Sequence, residues 1–180
     1  MPFYQSLGKV PLKRHTAMYN NKKIYYEELI SRNGFSSIYT NAYHLNRPTQ
    51  IIKVGKLESL KIVDASKTHR ARHIQTSKIH SNDLTTRNDL LFNSDITISV
   101  LQLNHSSIHF FKNGIEDELF YVQSGSGILS TNFGDLKFKP GDYIIIPRGV
   151  IFKFIISNSV KLLSIQSKEP IETPNRFKNQ

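Results

Sequence analysis

Three observations in this 180-residue chain predict an all-β fold, an antiparallel β-barrel carrying an irregular N-terminal extension. Strand-length apolar runs follow one another through the second half of the sequence. The residues between them are Gly, Asn and Asp, which tolerate the positive φ that tight turns need. The texture of the chain also changes at Asp89, before which the apolar runs are brief and the connections polar.

Residues 1–88 contain Pro2, Pro11 and Pro48 and a short helix-capable patch at Tyr25 to Ile30. They read as an extension whose short strands pack on the barrel. Residues 89–166 form the barrel itself. Its runs are Ile96 to Leu103, Leu119 to Gln123, Ile128 to Asn132, Leu136 to Phe138, Tyr143 to Pro147, Phe152 to Ile156 and Val160 to Ile165. Gly125-Ser126-Gly127 and Asn132-Phe133-Gly134-Asp135 each separate two runs and are expected to close hairpins. Pro140-Gly141-Asp142 precedes Ile144-Ile145-Ile146, whose lack of alternation predicts a central strand buried on both faces. The last two runs are expected at an edge of the barrel, beside an uncovered apolar patch. Residues 167–180, with Pro170 and Pro174, read as a C-terminal linker.

Composition sets the outer limits. With 38% hydrophobic residues, eleven Phe and eight Tyr, the chain has the material for one core, and a chain of this length buries roughly 70% of its unfolded surface. The longest apolar stretch, Tyr143 to Pro147, is far too short to span a bilayer, so a soluble protein with no membrane partner is expected. Met1 to Leu12 has neither an apolar h-region nor a small-residue cleavage site, which makes the cytoplasm the expected location. Zero Cys removes disulfides, thiolate metal sites and Cys nucleophiles together. The net charge of +10 is scattered rather than gathered into a stripe, and nucleic acid is not an expected partner.

Gly141-Asp142-Tyr143-Ile144-Ile145-Ile146-Pro147-Arg148-Gly149 fits the pattern glycine, five residues, proline, any residue, glycine. This resembles the core of the second cupin motif, a corner of a small jelly-roll barrel. Metal-binding cupins place a His three residues after the last glycine, where this chain has Phe152. The first cupin motif supplies two His and a Glu seven residues before a turn glycine. Glu118 fills that glutamate slot relative to Gly125, but no His occurs in Phe110-Phe111-Lys112-Asn113-Gly114, where the imidazoles would fall. One carboxylate is not the two-His-one-carboxylate set of a non-haem iron centre, so no metal, cofactor-binding or catalytic residue is assigned in this chain.

The remaining candidates have ordinary explanations. His105 and His109 would share a face of a strand, but about 13 Å apart at strand rise, too far for one ion. His69-Arg70-Ala71-Arg72-His73 has zinc-like spacing only if helical, and its crowded charge favours a basic strand or loop. Glu116, Asp117 and Glu118 are expected to form a solvated acidic face at the entry to a strand, with Glu118 near the barrel mouth.

Taken along its whole length, the sequence resembles homogentisate 1,2-dioxygenases of the bacterial branch. The residues that carry the resemblance are Met1-Pro2-Phe3-Tyr4, Leu7-Gly8, Pro11, Lys13-Arg14-His15-Thr16, Tyr26-Glu27-Glu28-Leu29, Gly34-Phe35-Ser36 and Tyr43-His44. Arg72-His73, Leu90-Leu91-Phe92-Asn93-Ser94-Asp95, Asp117-Glu118-Leu119 and the cupin corner continue it in order. The resemblance implies an Fe(II) enzyme of tyrosine and phenylalanine catabolism that cleaves the ring of homogentisate to maleylacetoacetate. It also implies that the iron ligands lie in a second, catalytic cupin domain of the longer family chain, beyond Gln180, so that none falls on a residue here. The expected partners are that missing C-terminal domain and further copies of the chain in a homo-oligomer. A free-standing, metal-free cupin that binds a small acidic ligand or a partner protein at the barrel mouth is the alternative reading.

Overall fold

The computed structural model describes residues 25–31, 39–56, 71, 73–79, 81 and 83–178. The opening block through Thr16, Gly34-Phe35-Ser36, and His69, Arg70 and Arg72 lie outside the described residues.

Among the described residues eleven strands follow in chain order: β1 (Tyr26–Ser31), β2 (Tyr39–His44), β3 (Asn88–Phe92), β4 (Ile96–Leu103), β5 (Phe111–Lys112), β6 (Asp117–Ser124), β7 (Gly127–Thr131), β8 (Gly134–Phe138), β9 (Tyr143–Ile146), β10 (Ile151–Ile156) and β11 (Val160–Ser167). All pairings are antiparallel. One sheet has the order β5-β10-β7-β8 and the other β3-β4-β11-β6-β9, while β1 and β2 form a separate hairpin. The seven runs expected from the sequence all appear as strands. The architecture is the cupin-like, all-β barrel that the sequence predicts.

The inward faces of both sheets meet in one core. Alternation along each strand selects its members: Leu101 and Leu103 from β4, Phe120 and Val122 from β6, Phe152 and Phe154 from β10, Val160 and Leu162 from β11. Phe120, Phe138, Phe152 and Phe154 interlock edge to face, with ring centroids 5.4 Å apart for Phe120–Phe154 and 5.6 Å for Phe138–Phe154. Edge-to-face pairs contribute about 0.5–1.5 kcal/mol each beyond area burial. Leu84, four residues before β3, is buried in the same core, so the segment preceding the barrel is part of its packing.

Several expectations are corrected. The patch at Tyr25 to Ile30 is strand β1, paired from Tyr26↔His44 to Ser31↔Tyr39; cross-strand pairing outweighs the weak local helix preference of a segment too short to be stable alone. The run Ile144-Ile145-Ile146 is not central. It belongs to β9, an edge strand paired only with β6, and Ile144 and Ile146 are buried while Ile145 is exposed. Identical β-branched residues on alternate faces hide the alternation from the sequence. Conversely, β10 and β11 are interior strands, each flanked on both sides, and the edges are β3, β5, β8 and β9. Gly125-Ser126-Gly127 closes no hairpin, because β6 and β7 lie in different sheets. Gly125, at φ +83°, carries the chain across between them, pressed so close to Ser159 and Val160 that any Cβ would collide with the backbone. The Asn132-Phe133 turn does close a hairpin, with Thr131 opposite Gly134.

Candidate functional site

Glu118 occupies the position where a cupin would place its acidic metal ligand, and strand alternation aims it inward on the same face as Phe120 and Val122. It does not stand at an open mouth. The guanidinium of Arg87 lies against it, donating from NH2 to Oε1 at 3.0 Å and to Oε2 at 2.9 Å. The pair is desolvated, with side-chain exposures of 8% for Arg87 and 1% for Glu118. Arg87 NH1 donates to Ser164 Oγ at 3.0 Å and Nε to the Leu84 carbonyl at 2.8 Å, so every guanidinium nitrogen is engaged. Its carbon stands 5.7 Å from the Phe111 ring centroid and 5.5 Å from that of Phe120. A cation over two aromatic faces gains from their quadrupoles where water is excluded.

Asn113 completes this cluster. Its Nδ2 donates to Glu118 Oε1 at 2.9 Å, and its Oδ1 accepts the backbone N–H groups of Ile115 and Glu116 at 3.0 Å each. Its carbonyl accepts from the N–H of Gly149 at 2.7 Å, which ties the β5–β6 loop to the corner that Pro147 and Gly149 turn. The stretch where cupin imidazoles would fall thus meets the acid in space but brings a phenyl ring and an amide. Phe152, in the remaining His slot, is fully buried and sits directly opposite Phe111 in the β5–β10 pairing, the rings 5.4 Å apart. A carboxylate, an amide, a hydroxyl and phenyl rings around a resident guanidinium do not fit an iron(II) centre, which takes two imidazoles and a carboxylate on one face.

The acidic triplet is therefore not a solvated face. Asp117 and Glu118 are both fully buried, and Asp117 points to the opposite side of β6. Asp117 Oδ1 accepts the backbone N–H of Arg148 at 3.0 Å and its Nε at 3.4 Å, and Oδ2 accepts the N–H of Ile171 at 3.0 Å. Arg148 NH2 also donates to the Lys168 carbonyl, and the Lys168 N–H donates to the Asp95 carbonyl at 3.1 Å. The segment after β11 is consequently held against the barrel through residue 171.

The described histidines, His44, His73, His105 and His109, do not converge on this cluster. His105 and His109 lie exposed in the loop between β4 and β5, not in a strand, and His73 is exposed before a short 3-10 turn at residues 76–78. His44 Nε2 pairs with Glu28 at 2.9 Å, and the other Glu28 oxygen accepts from Lys112 at 2.7 Å, which joins the β1–β2 hairpin to β5. Among the described residues, no three His, Cys, Asp or Glu side chains group as metal ligands. A groove of about 250 Å³ lies between the β8 and β9 edges, lined by Leu129, Leu136, Phe138, Tyr143 and Ile145 among others. No helix among the described residues is long and apolar enough to cross a membrane.

Arg87, Ser164 and Arg148 were not singled out by the sequence. Parity was the available signal for the first: a Glu sharing alternation with Phe120 and Val122 must be buried, and a buried carboxylate needs a cation.

Comparison with known proteins adds an independent line. A family model described as "Homogentisate 1,2-dioxygenase N-terminal" matches residues 61–165. A protein of Saccharolobus solfataricus named "Putative dioxygenase SSO1533" is 34% identical over 184 aligned residues, which cover 100% of this chain and 48% of that protein. The chain spans about half the length of this curated relative. Among solved structures, a cupin-2 domain containing protein from Shewanella frigidimarina superposes with a TM-score of 0.43 at 17% identity, covering 48% of this chain and 84% of its own. A cupin protein from Bacteroides fragilis gives 0.42 at 18% identity, covering 56% and 92%.

Proposed function

The chain belongs to the homogentisate 1,2-dioxygenase N-terminal family, and from that membership we propose that it is the non-catalytic half of a ring-cleaving dioxygenase of the homogentisate type. In this reading the barrel serves folding and assembly of the enzyme. The Fe(II) chemistry that opens the aromatic ring, and with it the role in tyrosine and phenylalanine breakdown, belongs to a C-terminal cupin domain. A cytoplasmic location and a homo-oligomeric assembly go with the same reading. The observation that carries it is the Arg87–Glu118 pair standing at the cupin ligand position, together with a relative about twice this chain's length. Among the described residues, a fully engaged guanidinium and interlocking Phe rings fill the barrel interior around Glu118. That packing disfavours the alternative of a free-standing ligand-binding cupin.

The test is co-expression of the 180-residue chain with the remaining half of its longer relative. The two polypeptides are expected to co-purify, and oxygen uptake with homogentisate is expected to require both. Uptake by the C-terminal half alone at full rate, without association, would overturn the assembly role.

A further inference from the structure

We propose that the inner end of the barrel is a guanidinium-binding site that the chain fills with its own Arg87. Each element around Glu118 suits a planar, delocalised cation better than a metal ion. Arg87 NH2 donates to both carboxylate oxygens, at 3.0 and 2.9 Å, while the other nitrogens of the same planar group reach acceptors on other segments, a spread of donors that a compact ammonium cannot reproduce. Two neutral acceptors, Ser164 Oγ and the Leu84 carbonyl, receive the other guanidinium nitrogens at 3.0 and 2.8 Å. Phe111 and Phe120 present rings at 5.7 and 5.5 Å from its carbon, which favours a weakly hydrated cation over a hard one. Asn113 takes up a remaining lone pair of Glu118 at 2.9 Å.

The cation is delivered from the segment just before β3, the same segment that buries Leu84 in the core. Arg87 therefore acts as a lock as well as a counter-ion: it fastens that segment across the barrel end by bonds to β6 and β11. The lock is independent of the function proposed above, since it follows from the donor and acceptor geometry alone. Removing the side chain leaves an unneutralised buried carboxylate in a slot shaped for an alkylguanidinium, and a free alkylguanidinium should enter it.

The experiment uses Arg87→Ala in the full 180-residue chain, followed by thermal unfolding. The variant is expected to unfold roughly 10 °C below the parent, the shift that an orphaned buried charge produces in a chain of this size. Ethylguanidinium chloride at low millimolar concentration is expected to raise its Tm by several degrees in a saturable way. Sodium chloride at the same ionic strength should not, and neither should ethylguanidinium act on the Arg87→Ala/Glu118→Gln double variant. Recovery no better than with sodium chloride, or recovery by magnesium or zinc instead, would overturn the proposal. If Arg87→Ala does not fold, Arg87→Met/Glu118→Met decides: a folded double variant supports the lock, because a neutral pair leaves no charge unpaired, and an unfolded one overturns it.

Discussion

Asp117 and Glu118 are adjacent, equally buried and satisfied in opposite ways. Glu118 faces the interior and is neutralised by side chains, chiefly Arg87 NH2 on both its oxygens, with Asn113 beside it. Asp117 faces outward and is held largely by backbone, the N–H groups of Arg148 and Ile171, with the Arg148 side chain lying longer at 3.4 Å. The inner pair is an exchange of one charge for another in a desolvated site. The outer one is a clamp, in which a carboxylate fixes where two stretches of chain run. The inner acid should therefore govern the stability of the whole barrel, and the outer one the docking of the segment that follows it.

The largest effect is expected from Glu118→Gln, which keeps the shape of the side chain and strands the Arg87 charge. A loss of about 3–5 kcal/mol is expected, in line with buried pairs broken from one side. Urea unfolding checks it, and the midpoint should fall with little change in the slope, since the surface exposed on unfolding is the same. Asp117→Asn should cost less, about 1–3 kcal/mol, because one of two accepting oxygens becomes a donor facing another donor. Its signature is local: trypsin should cut faster at Lys168 and Arg176, while the barrel's melting shifts far less than for Glu118→Gln. Equal losses from the two variants, both global, would erase the distinction between lock and clamp. The smallest effect is expected from Lys112→Ala, which removes a partly exposed ion pair with Glu28 and should cost under about 1 kcal/mol in the same urea measurement.

What the sequence reveals of this arrangement depends on how local the determining physics is. Strands β4 and β6 to β11 are legible because apolar residues recur at strand length and Gly, Asn or Asp interrupts them. The glutamate slot is legible too, by its spacing from Gly125. Burial of the acids is not, because their partners are distant: Arg87 precedes Glu118 by 31 residues and Arg148 follows Asp117 by the same interval. Nothing near either Arg marks it, and adjacent acids at a strand entry look like a solvated face until their alternation is followed. Sheet membership is illegible for a similar reason. A Gly-Ser-Gly turn reads the same whether it joins paired strands or crosses between sheets, as Gly125 does. The edge position of β9 is hidden because three consecutive Ile give buried and exposed faces one spelling.

The acid that the cupin pattern marks already has both oxygens engaged by Arg87. The direct measurement is an anaerobic iron(II) titration of the unmodified 180-residue chain, followed by oxygen-electrode recording with homogentisate. The expected result is no stoichiometric binding and no oxygen uptake, because Phe152 fills one His slot of the cupin pattern, residues 110–114 supply no His, and Glu118 is already paired with Arg87. One tightly bound iron per chain, with ring cleavage, would contradict it.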